Sequence, residues 1–286
     1  LAEGLGNEVI NPLAQINDAF NDTRVDKISG VGGLEYTIWD KLTAKTQFQF
    51  NYSEVDGRYF SPEVFYGSGK VFNVDRNNVT ENFEIYRDYT WDNFLTYNDS
   101  FGDHNLKWLL GMSVFKTTGD LASLTGFELP SNEYGSARVS NAAEVVDNYQ
   151  NGGDTFDTRL LSYFTRVQYD YQGKYLFSGL IRRDGSTAFG PENKFGWFPS
   201  ASVGWVISDE DFINDNGALN FLKLRGSYGI IGNDRIPAFR YASLLNGEGA
   251  YVFDDEIIFG KASGALGNPE IKWEKQKTLD IGLDAR

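Results

Sequence analysis

The chain has 286 residues, of which 41% are hydrophobic and 15% aromatic, so it can bury a core and is not expected to be disordered. Its net charge of −14 excludes a nucleic-acid-binding protein that depends on a basic stripe, and it fits either solvated acidic loops or an acidic lumen. The chain contains no Cys, which excludes disulfides, cysteine metal sites and a thiol nucleophile.

No apolar run in the sequence approaches the roughly 18 residues expected of a membrane-spanning helix, and no signal peptide is visible. Both ends look cut, because Leu1 lies in a Gly/Asn-rich stretch and Arg286 ends inside an alternating pattern. We therefore expect a piece of a longer protein.

Alternating apolar and polar residues dominate the chain from residue 24 onward, and this pattern predicts β-strands with one apolar and one polar face. In chain order the predicted strands cover residues 24–39, 41–56, 79–98, 105–117, 157–171, 174–184, 197–207, 220–231 and 271–286. The stretch 232–270 has room for one more hairpin, formed by Tyr241–Leu245 and Tyr251–Phe253.

The predicted connections alternate between short turns and long loops. Short turns fall at Asp40, 99–104 and 171–174, longer connections cover 57–78, 118–156, 185–196 and 232–270, and the connection 208–219 is of intermediate length. Short turns at one end of the strands and long loops at the other are typical of outer-membrane barrels. A soluble sandwich also has strands with one apolar face, but it has no reason to keep this order. The sequence therefore predicts an all-β fold, an antiparallel transmembrane β-barrel.

Two tryptophans on one predicted strand support this interpretation. Trp197 and Trp205 share the apolar face with Ala201 and Val203 between them. Their separation corresponds to about 20 Å along the membrane normal for a strand tilted by about 40°. That spacing fits aromatic girdles at the two edges of an apolar band. On the last strand we expect Trp273 on the apolar face, in line with Leu279, Ile281 and Leu283.

Motifs for catalysis or metal binding are weak in this sequence. His104 is the sole histidine and lies in a short turn, where a solvated residue is the simpler interpretation. The segment Asp211–Gly217 looks like a calcium loop, but Phe212 interrupts the ligand positions and the final Glu is absent. We expect no enzyme activity, no metal site and no cofactor.

One predicted loop, residues 57–72, is rich in aromatic side chains. Exposed aromatic rings among polar groups suit stacking on sugars or contact with peptides, although the same rings could pack the loop against its neighbours. The candidate substrate-binding residues in this loop are Tyr59, Phe60, Phe65 and Tyr66.

Six segments in the second half of the chain form a distinctive series. They read RRDGSTAFG at 182–190, FGWFPS at 195–200, GWVISDE at 204–210, LKLRGSYG at 222–229, GNPEIKWE at 267–274 and TLDIGL at 278–283. In this order they resemble the barrel signature of the SusC/RagA outer-membrane proteins. Residues 11–14 are a weaker match, and residues 40–156 match in pattern only. We expect the segment beginning at Arg182 to be architectural, with Arg182 itself pointing into the lumen.

The resemblance implies a barrel of about 22 strands, plugged by an N-terminal domain and energised by TonB. Residues 1–286 would then form a partial barrel domain of nine to eleven strands, with the plug and the other strands lying outside this sequence. The resemblance also implies a Gram-negative outer membrane, contact with its lipid, a SusD-like surface lipoprotein partner and import of glycans or peptides.

Polar residues of the predicted strands would line the lumen of such a barrel. The candidates are Gln47, Gln49, Asn51, Arg166, Gln168, Arg182, Lys223 and Arg225. The alternative to a transporter is a soluble all-β carbohydrate-binding or adhesin module, in which the apolar faces would pack in a sandwich core.

Overall fold

Antiparallel β-strands make up most of the computed structural model, which describes residues 12–18, 20–68, 70, 72–143, 149–213, 220–237, 239–245 and 247–286. One short helix, α1 (Pro12–Asn17), precedes the strands. The strands are β1 (Phe20–Trp39), β2 (Leu42–Ser61), β3 (Asn78–Phe101), β4 (His104–Phe127), β5 (Tyr149–Tyr171), β6 (Tyr175–Ser186), β7 (Phe195–Val206), β8 (Leu222–Asn233), β9 (Gly247–Phe253), β10 (Glu256–Ala262) and β11 (Glu274–Ala285). Among the described residues, no helix is long and apolar enough to cross a membrane.

Nine of these strands form one sheet in the order β1-β2-β3-β4-β5-β6-β7-β8-β11, and β9 pairs with β10 alone. Neighbours in the sheet are neighbours along the chain except at β8 and β11, where the β9–β10 hairpin is skipped. The ladders from β5 through β8 to β11 are all antiparallel. The predicted antiparallel all-β architecture is therefore confirmed.

The strand bounds differ from the predicted ones mainly at the long loops. The predicted loop 118–156 is wrong at both ends, because β4 continues to Phe127 and β5 already begins at Tyr149. Residues 117–126 carry polar and small side chains on both faces, so they show no clear alternation. The extra hairpin also differs from the prediction, since its strands are β9 and β10 around a turn at Asp254 and Asp255.

The tight turns contain residues with positive φ. Gly102 has φ of 59°, and the turn after β5 places Gln172 at 55° and Gly173 at 68°. Asp254 and Asp255 have φ of 50° and 62°. Two consecutive left-handed residues give a turn whose twist matches that of the flanking strands, and Gly and Asp tolerate this conformation best.

Two compact units divide the chain. The first comprises Leu1–Gly30, Phe50–Asp88 and Thr117–Asp157, and the second comprises Val31–Gln49, Tyr89–Lys116 and Thr158–Arg286. The first unit has a buried core of Phe60, Val79, Leu129 and Ala137. The second has a buried aromatic cluster of Phe189, Phe198 and Trp273.

Candidate functional site

The sheet of the second unit has an apolar face whose side chains are largely exposed. Adjacent pairs in the ladders place Tyr171, Tyr175 and Trp205 in one row across β5, β6 and β7. Trp197, eight residues before Trp205 in β7, is 52% exposed on the same face. Between these two rows lie apolar residues that face outward with high exposure. They are Val203, Leu279 and Ile281, at 58%, 68% and 77%.

This arrangement is the one predicted from the spacing of Trp197 and Trp205. Large apolar side chains with such exposure need a solvent other than water or a partner surface. Pro199 lies just beyond the β7–β8 ladder, which begins at Ser200. A proline fits there because it cannot donate to a ladder hydrogen bond.

The opposite face of the same sheet carries a polar row that crosses five strands. Gln168 pairs with Ser178, Ser178 with Ser202, Ser202 with Ser227, and Ser227 with Asp280. We call these five residues the polar row. They line a cavity of about 970 Å³. The row therefore offers hydroxyl, amide and carboxylate groups side by side at strand spacing.

Charged groups surround the part of this cavity nearest the short turns. Lys223 and Arg225 line it from β8, and the Arg225 Nε lies 3.3 Å from Asp284 Oδ2. Lys41 Nζ lies 2.6 Å from Asp99 Oδ1, and this hydrogen bond raises the pKa of Lys41. The cavity can therefore present cations and carboxylates to the same solute.

A second cavity of about 640 Å³ shares the serines of the polar row and extends toward the other end of the strands. Arg182 lines it, and its Nε donates to both carboxylate oxygens of Asp184 at 2.7 and 2.8 Å. The Arg182 Nη2 also donates to Ser162 Oγ at 2.8 Å. Ser162 and Asp184 are buried, so Arg182 is held in one position on the polar face.

The aromatic cluster lies beside this second cavity. The ring centroids of Phe189 and Phe198 each lie 5.1 Å from that of Trp273. Trp273 Nε1 donates to the Lys194 carbonyl oxygen at 3.1 Å, so the polar atom of the buried indole is satisfied. Asn193 Nδ2 donates to the Pro269 carbonyl oxygen at 3.2 Å and ties the same two loops together.

The predicted position of Trp273 on the exposed apolar face is wrong. Strand β11 begins at Glu274, so Trp273 precedes the ladder and its side chain does not follow the alternation of the strand. It is 8% exposed because it packs on Phe198 and Phe189. These contacts join the segments 182–190, 195–200 and 267–274, which fits an architectural role for the motif residues.

The predicted lumen residues fall on the strands as their alternation requires. Gln168, Arg182, Lys223 and Arg225 line the two cavities. Arg166 pairs with Leu180 of β6, another residue that lines the second cavity. The remaining three candidates are Gln47, Gln49 and Asn51 in β2. They alternate along the strand with the exposed Phe48 and Phe50 and therefore lie on the opposite face.

The aromatic residues of the first unit divide into buried and exposed ones. Phe60 lies in β2 with 0% exposure and packs near Phe20 and Tyr134, so the structure gives it a packing role. Tyr59 and Phe65 are 46% and 74% exposed. The Tyr66 hydroxyl donates to Asp18 Oδ2 at 2.7 Å, which raises the pKa of Tyr66. Tyr59, Phe65 and Tyr66 thus remain the candidates for ligand contact.

Neither His104 nor the acidic residues form a metal centre among the described residues. His104 Nδ1 lies 2.6 Å from the Tyr169 hydroxyl, and its ring packs on Phe101 and Tyr171. The histidine therefore lies at the start of β4 and not in the turn where the sequence predicts it, and it contacts aromatic rings beside that turn. The calcium-like segment at 211–217 lies outside the described residues from position 214 onward.

Residues 5–285 match the family described as TonB dependent receptor-like, beta-barrel. The chain belongs to this family. TonB-dependent receptor β-barrels are outer-membrane proteins, which accounts for the exposed apolar face of this chain. The resemblance to the SusC/RagA type is confirmed by the relatives described next, and the curated relatives carry the names of receptors and not of enzymes.

Two curated relatives show the extent of the match. TonB-dependent receptor P3 of Formosa agariphila is 32% identical over 286 residues, which cover 98% of this chain and 27% of the relative. TonB-dependent receptor SusC of Bacteroides thetaiotaomicron is 41% identical over 129 residues, which cover 44% of this chain and 13% of the relative. The chain therefore spans about a quarter of the length of the first of these receptors.

A solved structure of the RagAB peptide transporter has the same fold, with a TM-score of 0.82 and 21% sequence identity. The superposition covers 99% of this chain and 30% of that chain. The agreement over nearly the whole chain shows that this chain shares the fold of a part of that structure.

The serines of the polar row were not among the residues predicted from sequence. Ser178, Ser202 and Ser227 are small polar residues that also occur in loops and turns, so their type gives no signal. Alternation places each on the polar face of its strand, but their alignment in one row depends on the register between strands.

Proposed function

We propose that the protein containing this chain imports a nutrient across the outer membrane by TonB-dependent active transport. The observation that carries this proposal is the pairing of an exposed apolar face with a polar face that holds large cavities. A sheet with these two faces suits lipid on one side and a hydrated lumen on the other. The plug and the TonB-contacting segment would belong to the parts of the protein outside this sequence.

We infer that the solute is either a glycan or a peptide. The hydroxyl and amide groups of the polar row would bind a glycan, and charged side chains would bind a peptide. The polar row supplies hydrogen-bond donors and acceptors at regular spacing, as a glycan requires. Lys223, Arg225 and Asp280 supply both signs of charge, as the two ends of a peptide require. The relatives named SusC and RagAB make a SusD-like surface lipoprotein the expected partner, and the RagAB structure is that of a peptide transporter.

The proposed lumen residues are Gln47, Gln49, Asn51, Arg166, Gln168, Arg182, Lys223 and Arg225, together with the polar row. Tyr59, Phe65 and Tyr66 are the proposed substrate contacts in the first unit. Some of the lumen residues would contact the plug and water instead of the solute. A transport assay with variants separates these roles, because a plug contact affects every solute and a substrate contact affects one class.

The test is growth of the native organism with the gene deleted, on single glycans or peptides as the nutrient, with TonB intact or disabled. Loss of growth on the same nutrient in both strains supports the proposal and names the solute class. Complementation with Asp280→Ala should then reduce uptake of that nutrient, whereas Val203→Ala on the apolar face should restore it fully. Unimpaired growth on every nutrient in the deletion strain would contradict the proposal.

A further inference from the structure

One arginine on the exposed apolar face of the second unit has no polar partner among the described residues. Arg183 lies in β6, where it pairs with Tyr163 of β5 on one side and Trp197 of β7 on the other. Its two chain neighbours, Arg182 and Asp184, line the second cavity on the polar face. The alternation of a strand therefore directs the Arg183 side chain to the apolar face.

Two aromatic rings hold the Arg183 guanidinium. Its Cζ lies 4.2 Å from the ring centroid of Phe195 and 5.6 Å from that of Trp197. The Phe195 ring also covers Gly185, where an added Cβ would lie 2.4 Å from the ring. Gly185 thus leaves the space that lets Phe195 lie flat beside the arginine. The cation is fixed by contacts that leave its hydrogen-bond donors unused.

The guanidinium makes no hydrogen bond or ion pair within the described part of the chain, and its Nε is buried without an acceptor. Three other arginines, by contrast, have a carboxylate partner. Arg182 pairs with Asp184, Arg87 with Asp120 at 2.6 Å, and Arg225 with Asp284. The Nη1 and Nη2 groups of Arg183 are not buried, so these two nitrogens, and not Nε, are the donors that an acceptor outside the chain can reach.

The position of Arg183 along the strands corresponds to one edge of the apolar band. Its row contains Trp197, which lies eight residues along β7 from Trp205 in the aromatic row near the short turns. The two rows are thus about 20 Å apart along the membrane normal for strands tilted by about 40°. Arg183 lies in the row on the side of the β6–β7 loop, at the depth where headgroups begin.

We infer that Arg183, held by Phe195 and Trp197, binds the phosphate of a membrane lipid on the outer surface of the barrel. A planar guanidinium matches the geometry of a phosphate and binds it through two parallel charge-assisted hydrogen bonds. On the same face, Ile181 at 43% exposure lies two residues from Arg183 along β6, and Val203 at 58% lies six residues from Trp197 along β7, so they provide a surface for the acyl chains. The inference rests on the proposed location in the outer membrane.

The test uses the full-length protein that contains this chain, purified in a maltoside detergent, and native mass spectrometry of bound lipid. The probes are phosphatidylglycerol and bisphosphorylated lipid A, with a diacylglycerol of the same chains as the probe without phosphate. We expect Arg183→Gln to weaken binding of the phosphorylated lipids about tenfold, because one charge-assisted pair is lost. The matched control is Arg87→Gln, since Arg87 already has a carboxylate partner and should have no effect.

Further variants and a competitor make the result decisive. Trp197→Ala should weaken binding by loosening the guanidinium, and Arg183→Lys should bind less than the wild type because the planar fork is lost. An excess of inorganic phosphate that displaces the lipid would identify free phosphate as the ligand, whereas retention of the lipid identifies the headgroup. Equal binding by the wild type and Arg183→Gln would overturn the inference.

Failure of the inference is distinguishable from failure of the proposed function. If all three lipids bind and Arg183→Gln has no effect, the membrane location stands and the role of Arg183 in lipid binding is rejected. A full-length protein that stays dispersed without detergent and binds none of the lipids would contradict the membrane location itself, and the inference would fall with it.

Discussion

One carboxylate near the short turns, that of Glu210, holds two aromatic residues of the apolar face by hydrogen bonds. Glu210, just after β7, accepts hydrogen bonds from the Tyr175 hydroxyl at 2.5 Å and from Trp205 Nε1 at 2.8 Å. Lys174 Nζ lies 3.9 Å from the same carboxylate. The two aromatic side chains belong to neighbouring strands, so one carboxylate orients two members of the row that meets the membrane edge.

We predict that Glu210→Gln loosens this contact and removes its pH dependence. The hydrogen bonds from Tyr175 and Trp205 hold the pKa of Glu210 below its usual value of 4.5. A lowered pKa means that the ionised group stabilises the fold above the unfolded pKa, and that this stabilisation disappears as the pH falls through the folded value. NMR of the full-length protein measures the rate at which the Trp205 indole hydrogen exchanges with solvent. In the wild type this rate should increase below pH 4.5.

In Glu210→Gln that exchange should already be fast at neutral pH and should show no such acid transition. The exposed Glu192, replaced in the same way, serves as the control and should leave the indole exchange unchanged. A Trp205 exchange rate that is the same in wild type and Glu210→Gln at neutral pH would show that the carboxylate does not hold the indole.

At the scale of strands and loops, the close packing of glycines and aromatic rings determines the contacts across the sheet. Phe164 of β5 lies over Gly111 of β4, where an added Cβ would lie 2.3 Å from the ring. The same ring packs edge-on against Phe94 at 6.1 Å and lies 5.3 Å from the Arg182 guanidinium. The lack of a side chain at Gly111 therefore leaves room for the Phe164 ring, which in this position contacts Phe94 and Arg182.

We predict that Gly111→Ala destabilises the full-length protein by about 1–3 kcal/mol, because the Phe164 ring must move away from its partners. The matched control is Gly32→Ala in β1, where nothing lies within 4 Å of an added Cβ. Unfolding by urea in lipid vesicles measures both variants. A loss in Gly32→Ala as large as that in Gly111→Ala would mean that backbone effects, not the ring contact, dominate.

A second prediction concerns the aromatic cluster. Trp273→Ala should cost about 3–5 kcal/mol of unfolding free energy, because a buried indole and its contacts with Phe189 and Phe198 are lost. Trp39→Ala, at a position with 54% exposure on β1, should cost far less in the same urea titration. Equal losses in the two variants would contradict the packing role of the cluster.

The strands illustrate how far the sequence alone predicts the fold. Alternation is enough to predict β6, β7 and β8 within a few residues, since each carries a clear apolar face. The outer part of β4 escapes detection because, beyond the apolar band, neither face needs to be apolar. The predicted face of Trp273 is wrong because alternation holds only within a ladder, and this ladder begins one residue later, at Glu274.

At the scale of the whole molecule, the chain leaves much apolar surface exposed. Leu279 at 68%, Ile281 at 77% and Leu283 at 63% all lie on the edge strand β11. We predict that residues 1–286 expressed alone aggregate in water and disperse in detergent, because soluble monomers tolerate only small apolar patches. Light scattering with and without detergent measures this, and a dispersed monomer in plain buffer would favour the soluble-module alternative.

The candidate site shows the limit of sequence reasoning at this scale. The face of Gln168, Lys223 and Arg225 could be predicted because it depends only on position within a strand. The polar row could not, because a shift of one residue in any ladder would break it, and register is fixed by turn geometry and by contacts between distant segments. Family membership follows from motif order, whereas the solute depends on side chains that meet only in the folded sheet.

The skipped hairpin has a consequence for how such receptors diversify. Strand β8 pairs with β11 along its whole length, from Leu222 with Ala285 to Asn233 with Glu274, so the 40 residues between them contribute nothing to the ladder. Insertions, deletions or exchanges within 237–266 therefore leave the hydrogen bonds of the sheet intact, and they spare Ile236 and the segment 267–274, which contact the aromatic cluster and its loop. This segment is the part of the second unit in which a change of sequence disturbs the sheet least.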